Sequence, residues 1–280
     1  MPLAQQVGEA MAGSMSWWLV GLFLLFMLLE LAMPGHGRGA RADSSTTGRF
    51  MTNFGMALLA ALVGFLIPFS SIIAAEWAAA EGIGLFNSLA APWWAVLAAA
   101  LLSRTFINYW MHRAFHAVPW LWRLHRIHHS DRHVDLSLGL RQHPLDYPPR
   151  LIVFASGTVL FGLPVWAVVI ADLFLVAANY WEHIDARMPR RLARWLGYVF
   201  ATPEIHRIHH SASQPQTDSN FSGGLIVWDR LFGTYRDPEF EQIERIGLGE
   251  AYDPGADDIL SQLALPFRRE PARTSAPVPR

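Results

Sequence analysis

Three long apolar runs, Ser16–Met33, Phe50–Ala80 and Pro92–Trp110, dominate the first part of the chain. Roughly 20 apolar residues span the hydrocarbon of a bilayer, and inside lipid every backbone polar group must be paired within the protein. Runs of this kind therefore predict membrane-crossing helices. The balance of the chain agrees: it is 52% hydrophobic and only 16% charged, where soluble domains carry about 25% charged residues. Trp17 and Trp18 open the first run, and Trp93 and Trp94 open the third, as aromatics do at a membrane surface. Glu30 is the one charge in the first run, and Pro68 interrupts the second. No basic stretch or small-residue cleavage site accompanies the first run, so it does not read as a removable signal. A fourth apolar region, Leu151–Tyr180, breaks near Gly162–Pro164. Each of its arms is shorter than a full crossing, which predicts a re-entrant or short transmembrane hairpin at 151–181.

Arginine supplies all the basic charge, and it is unevenly placed. The 34–49 loop holds Arg38, Arg41 and Arg49 against Asp43, while the connection near 76–90 holds Glu76 and Glu81 and no basic residue. Beyond the third run come Arg113, Arg123, Arg126, Arg132 and Arg141. By the positive-inside rule, the 34–49 loop and the region after Trp110 face the cytoplasm, and the N-terminus lies outside. The expected organisation is an N-terminal membrane region over 1–104, a catalytic region over 105–240, and a polar, partly disordered tail over 241–280. A bacterial inner membrane is the expected location. The net charge of −1 gives no support to nucleic-acid binding. Absence of cysteine excludes disulfides, thiolate zinc sites and cysteine-held clusters.

Eleven of the twelve histidines fall between His112 and His210. LHRIHHS at 124–130 returns as IHRIHHS at 205–211, and HRAFH at 112–116 precedes the first copy. On a helix, residues four apart share a face, so His112 and His116 project together. Pro119 suits the first turn of a helix carrying His125, His128 and His129; Thr202 and Pro203 suit the cap and first turn of one carrying His206, His209 and His210. The adjacent histidines of each HxxHH run diverge by roughly 100°, with the first histidine leaning between them. That spread suits two ions side by side better than one, and eight imidazoles exceed the needs of a single ion. The arrangement predicts a dinuclear centre, for which iron and zinc are both compatible with imidazole. Membrane bis-histidine haem would need single histidines deep in opposed spans, and HExxH is absent. His36 and His133, standing alone, read as ordinary hydrogen-bonded residues.

With HRAFH (112–116), HRIHH (125–129), RQHPLD (141–146), NYWEH (179–183), TPEIHRIHHS (202–211) and NFSGGLIVWDRLFGTY (220–235) in this order, the chain resembles the fatty acid hydroxylase/sterol desaturase superfamily of integral-membrane di-iron oxidases. The resemblance covers about Tyr109 to Tyr235. It implies an all-α membrane protein with a cytoplasmic helical cap holding two iron ions. The ligands it implies are His112, His116, His125, His128, His129, His183, His206, His209 and His210. Some relatives carry a further histidine where this chain has Asn179, and His143 of the RQHP element is the candidate to fill that place or to donate to a ligand. Asp218, Asn220, Asp229 and Arg230 are candidates to hold ligand histidines by hydrogen bonds, the alternative being a local Asp229–Arg230 ion pair and glycine turns.

The resemblance further implies an O2-dependent reaction at an unactivated C–H bond of a membrane lipid. Reduced iron binds O2 and generates an oxidant that removes hydrogen; rebound gives an alcohol and a second removal gives an alkene. Apolar segments near 88–111 and 151–181 are the expected walls for a lipid entering sideways. With no cysteine and no GxGxxG, electrons are expected from a separate protein, a ferredoxin/reductase or a cytochrome b5-like carrier. Arg187, Arg190, Arg191 and Arg194 form a basic cluster suited to anionic headgroups or to such a carrier. Two other classes stay open on the residues alone: a zinc-dependent membrane hydrolase or isomerase, and a non-catalytic metal-binding or transport protein.

Overall fold

The computed structural model describes residues 13–35, 46–68, 70–252 and 255–268, with Gln6, Ala10 and Met11. His36, Arg38, Arg41 and Asp43 of the 34–49 loop, and residues 269–280 of the expected tail, lie outside the described residues. Among the described residues the chain is helical, with only isolated bridges, Phe200 to Leu225 and Ser211 to Ile246, in place of strands.

Helix α1 is Met15–Ala32 and α2 is Thr46–Leu66. The second apolar run breaks where Pro68 stands, and α3 (Ser71–Ala80) restarts behind Ser70, whose hydroxyl accepts from the Ile73 N–H at 3.2 Å. Helix α4 is Trp93–Ala117 and α5 is Pro119–His125, with proline in the first turn as expected. The fourth apolar region forms α6 (Tyr147–Phe161) and α7 (Val165–His183). They turn at Gly162, whose φ of 60° a residue with a side chain rarely adopts. Short helices follow, α8 (Arg190–Leu196), α9 (Pro203–His209), α10 (Val227–Phe232) and α11 (Ile259–Ala264), besides the single turns Leu85–Ser88 and Gln214–Thr217.

Among the described residues, three stretches are long and apolar enough to cross a membrane: Met15–Ala32, the broken stretch Thr46–Ser88, and Val165–His183. The third is a departure from expectation. Its arm of the hairpin was expected to be too short, yet α7 has 19 residues, long enough at about 1.5 Å per residue to reach across most of the hydrocarbon. Helix α4, expected as a crossing, is not among the three. Its length suffices, but it carries Arg104 and Asn108 in mid-helix. Arg104 is wholly buried, held by Asp172 of α7 (Nε to Oδ1, 2.9 Å) and by the Phe154 carbonyl of α6 (2.7 Å). An ion pair is the arrangement a charge needs in so apolar a bundle. Around it Val96, Ala100, Leu163, Trp166, Ala167 and Ala171 pack α4 against the hairpin, alanine allowing close approach of the backbones.

One end of the bundle gathers the end of α1, the start of α2, the end of α4, the start of α6 and the end of α7. The Glu30 carboxylate of α1 accepts from the Leu136 N–H (2.7 Å) and the Asp185 N–H (2.9 Å). Arg49 and Asn53 of α2 reach Asp131 and Ser137. On this end sits the cap of short helices and loops. Part of the expected tail belongs to it: Leu265 is buried against Met56 and Ile127, and Gln262 accepts from the Ser130 hydroxyl at 2.7 Å. Ile259 and Leu263, four apart on one face of α11, and Leu265 in the turn that follows pack against Met56 and Ile127, which explains why 255–268 folds rather than trails.

Candidate metal centre

Nine of the ten candidate histidines converge beneath the cap in two groups. The first comprises His112, His116, His125, His129 and His209; the second His128, His183, His206 and His210. Within each group the ligand nitrogens lie within 4.8 Å of one another. His112 and His116 share a face of α4 as their spacing predicts, and α9 is capped by the Thr202 hydroxyl on the Ile205 N–H and begins at Pro203. The second box differs. Its α-helix stops at His125, and His128 and His129 lie in a 3₁₀ turn.

The expectation that the first histidine of each run leans between two ions is corrected by this grouping. In both runs the outer histidines, four apart, go together and the middle one crosses over. His125 and His129 join the first group and His128 the second; His206 and His210 join the second and His209 the first. Residues at i and i+4 are the nearer pair on a helical turn, which leaves the i+3 ring to diverge.

Hydrogen bonds fix the tautomers of several rings. Nδ1–H of His183 donates to the Asn179 carbonyl (2.6 Å), that of His128 to the Arg141 carbonyl (3.2 Å), that of His112 to the Phe221 carbonyl (2.8 Å) and that of His209 to the Ser219 carbonyl (2.8 Å). A carbonyl only accepts, so each of these rings carries its proton on Nδ1 and a bare lone pair on Nε2. The Nε2 atoms of His183 and His128 then face each other at 3.1 Å with no proton between them. His206 to His183, His210 to His183 and His210 to His206 are spaced at 3.2, 3.3 and 3.1 Å. Separations of this size suit ligands of one ion, since two metal–imidazole bonds of roughly 2 Å at a tetrahedral angle put their nitrogens about 3.3 Å apart. In the first group, Nε2 of His112, His116, His125, His129 and His209 is buried without a partner in every case. Burial, reinforced by neighbouring imidazoles, holds His112, His125, His128, His129, His206, His209 and His210 well below the ordinary imidazole range. Neutral rings with converging lone pairs repel unless a cation sits among them, and the donor set fits two transition-metal ions.

His143 is not brought to either group. Its Nδ1 accepts from the Leu145 N–H at 3.1 Å, and its Nε2 faces the Leu263 carbonyl at 3.4 Å. With Nδ1 capping the 144–146 turn and Nε2–H directed at a carbonyl, the ring has no lone pair to give. Asn179 likewise spends its side-chain amide on the Gly139 carbonyl (3.0 Å) and orients His183 through its backbone. His133 stays outside both groups.

Among the expected supporting residues, Asp218 touches a histidine directly, Oδ1 to His116 Nδ1 at 3.2 Å. Asp229 acts on the loop instead: its carboxylate accepts from the N–H groups of Phe221 and Ser222, each at 2.8 Å, and from the Thr234 hydroxyl at 2.6 Å. That loop presents the Ser219 and Phe221 carbonyls to His209 and His112. Asn220, at φ 51°, ties it to the Ile205 and Arg236 carbonyls. Arg230 donates to the Gly197 carbonyl (3.0 Å) and lies over Tyr235 rather than pairing with Asp229.

Sequence reasoning missed Arg141. Its guanidinium, fully buried, donates to the Ile127 carbonyl (2.9 Å), the Ser130 hydroxyl (2.8 Å) and Asn53 Oδ1 (2.9 Å), locking the second box in place while its own carbonyl orients His128. It also missed Asp146, whose carboxylate lies 3.6 Å from His125 Nδ1. Both stand in RQHPLD, where the histidine drew attention from its neighbours.

Residues 97–234 match the fatty acid hydroxylase family model. Alkylglycerol monooxygenase of Danio rerio is 33% identical over 154 residues, 54% of this chain and 32% of that protein. Ornithine lipid hydroxylase OlsE of Rhizobium tropici is 30% identical over 164 residues, 58% of this chain and 47% of the relative. Very-long-chain aldehyde decarbonylase GL1-6 of Oryza sativa subsp. indica is 30% identical over 177 residues, covering 55% and 26%. The chain thus spans about a third of the alkylglycerol monooxygenase and under half of OlsE. No solved structure matches.

Proposed function

The chain belongs to the fatty acid hydroxylase/sterol desaturase superfamily, and from that premise we propose that it is a membrane-bound, O2-dependent lipid hydroxylase with two iron ions held by its nine converging histidines. The observation that carries this reading is the pair of buried groups in which tautomer-fixed lone pairs face one another. When bound, the iron pair supplies the activation of O2 that insertion into a C–H bond requires. The protein's residues do the rest. His112, His116, His125, His129 and His209 hold one ion, and His128, His183, His206 and His210 the other. Asp218 and the carbonyls of Asn179, Arg141, Phe221 and Ser219 keep the rings aimed. Phe221, its ring centre 5.1 Å from that of His116, and buried Phe115 exclude water from that side. Helices α4 and α7, which lead from the apolar bundle to His112 and His183, are the walls along which a lipid reaches the centre.

The names of the relatives favour hydroxylation over desaturation, and a polar lipid such as an ether or amino-acid lipid over a free sterol. Electrons come from a separate carrier of the ferredoxin or cytochrome b5 type. The location is the inner membrane of a bacterium with the centre on the cytoplasmic side. Of the arginines behind that orientation, Arg49, Arg126 and Arg141 are buried and Arg123 is exposed; Arg187, Arg190 and Arg191 add exposed basic charge on the histidine side.

Metal analysis of the purified protein, followed by turnover on extracted membrane lipids with a reductant, tests the proposal. Two irons per chain, O2 uptake and a lipid heavier by one oxygen are expected. A fully active protein holding zinc and consuming no O2 would overturn it in favour of a hydrolase or isomerase.

A further inference from the structure

Helix α8 follows closely on α7 and has no buried residue. At about 100° per residue, Arg190, Arg191 and Arg194 fill one arc of it and Leu192, Trp195 and Leu196 another, each roughly 100° wide. The apolar arc does not end with the helix. Trp195 is 74% exposed and Tyr198 59% exposed, and Val199 and Phe200 continue the surface. Ala201 N–H donates to the Gly224 carbonyl (2.9 Å) and Ile226 N–H to the Val199 carbonyl (3.1 Å). These bonds place the segment beside α10, where Leu231 is 65% exposed. An apolar patch this continuous is rare on a surface that faces only water.

The level of the patch is set by its anchors. Arg187 N–H donates to the Pro34 carbonyl at 2.7 Å, and Asp185 N–H to Glu30 of α1 at 2.9 Å. The segment therefore starts where α1 and α7, both long and apolar enough to cross a membrane, come to an end. Aromatic residues and arginine at that depth match the water–lipid boundary, where rings sit among headgroups and guanidinium groups meet phosphates. Arg194 is spent on Glu239, which leaves Arg187, Arg190 and Arg191 exposed on the same rim.

We propose that the surface formed by Trp195, Tyr198, Val199 and Leu231 is embedded in the headgroup layer of the bilayer, with Arg190 and Arg191 on anionic lipid phosphates. The inference rests on α1 and α7 being membrane-crossing. It seats the cap face down, so that the histidine centre lies against lipid and not above it.

The chain has no cysteine, so single spin labels report cleanly. Trp195→Cys, Val199→Cys and Leu231→Cys are labelled in full-length protein reconstituted into vesicles of phosphatidylcholine with phosphatidylglycerol. Leu24→Cys in α1 serves as the lipid reference and Glu244→Cys, exposed on the cap, as the water reference. Collision with O2 relative to a water-soluble nickel chelate is expected to be several-fold higher at 195, 199 and 231 than at 244. Ratios equal to that at 244, with 24 still reading lipid, would overturn this inference alone; a water-like ratio at 24 would overturn the membrane reading beneath it. Shielding of all three sites from both reagents would mark a protein partner and overturn the lipid assignment. Omitting phosphatidylglycerol, or introducing Arg190→Gln with Arg191→Gln, is expected to raise the chelate's access to site 195. No change in either case would overturn the role given to the arginines.

Discussion

Asp218 and Arg141 touch histidines of different groups, His116 and His128, and should fail differently. Asp218 is half-exposed and touches His116 at the rim of the first group. Asp218→Asn is expected to leave the fold intact and weaken metal retention by about 10–100-fold, read by competition with a chelator. Arg141 is fully buried, and Arg141→Gln strips partners from Ile127, Ser130 and Asn53 at once. Leaving buried polar groups unpaired costs about 1–3 kcal/mol each, so a lower unfolding temperature should accompany metal loss. The sign of the pH response follows from burial. Folding holds these imidazoles below their ordinary range, so protons compete for them only at lower pH than for free histidine. Metal content should therefore stay constant down to about pH 6, where ordinary imidazoles are largely protonated; loss beginning near pH 7 would contradict it. At this scale the convergence of the histidines was legible because HxxxH and HxxHH encode helical neighbours. Arg141 was not, because an arginine beside a histidine carries no spacing signal.

The loop 218–224 and the start of α2 show how whole elements bear on the centre. Asp229 organises the loop that presents two carbonyls, one to His112 and one to His209, both of the first group. Asp229→Ala is expected to release the ion of that group before the other, followed as stepwise metal loss during dialysis against chelator. Arg49 of α2 is buried against Asp131 and Asp135. Removing one partner of such a pair costs about 3–5 kcal/mol, so Arg49→Ala should detach α2 from the cap and lower the unfolding temperature sharply. Helix limits followed the sequence where proline or a capping hydroxyl stood, as at Pro119, Thr202 and Gly162–Pro164. They departed from it in the second box, where the α-helix gives way to a 3₁₀ turn after His125. Tertiary pull on Ile127 and Ser130 from Arg141 decides that, and no local propensity announces it.

Across the molecule, the apolar runs foretold helices but not which of them meet lipid. Arg104 and Asn108 make α4 less apolar than α7, yet Arg104 is paired with Asp172 of α7 in the interior, a match that hydropathy does not see. The crossing over of His128 and His209 carries a consequence for assembly. Neither group is complete within one motif, since each heptad lends its middle ring to its counterpart's group. Two ions held there would be interlocked, and filling either site would draw both heptads into register for its neighbour. Adding Fe²⁺ gradually to stripped protein should populate empty and doubly filled chains in native mass spectra, with half-filled chains scarce throughout the titration.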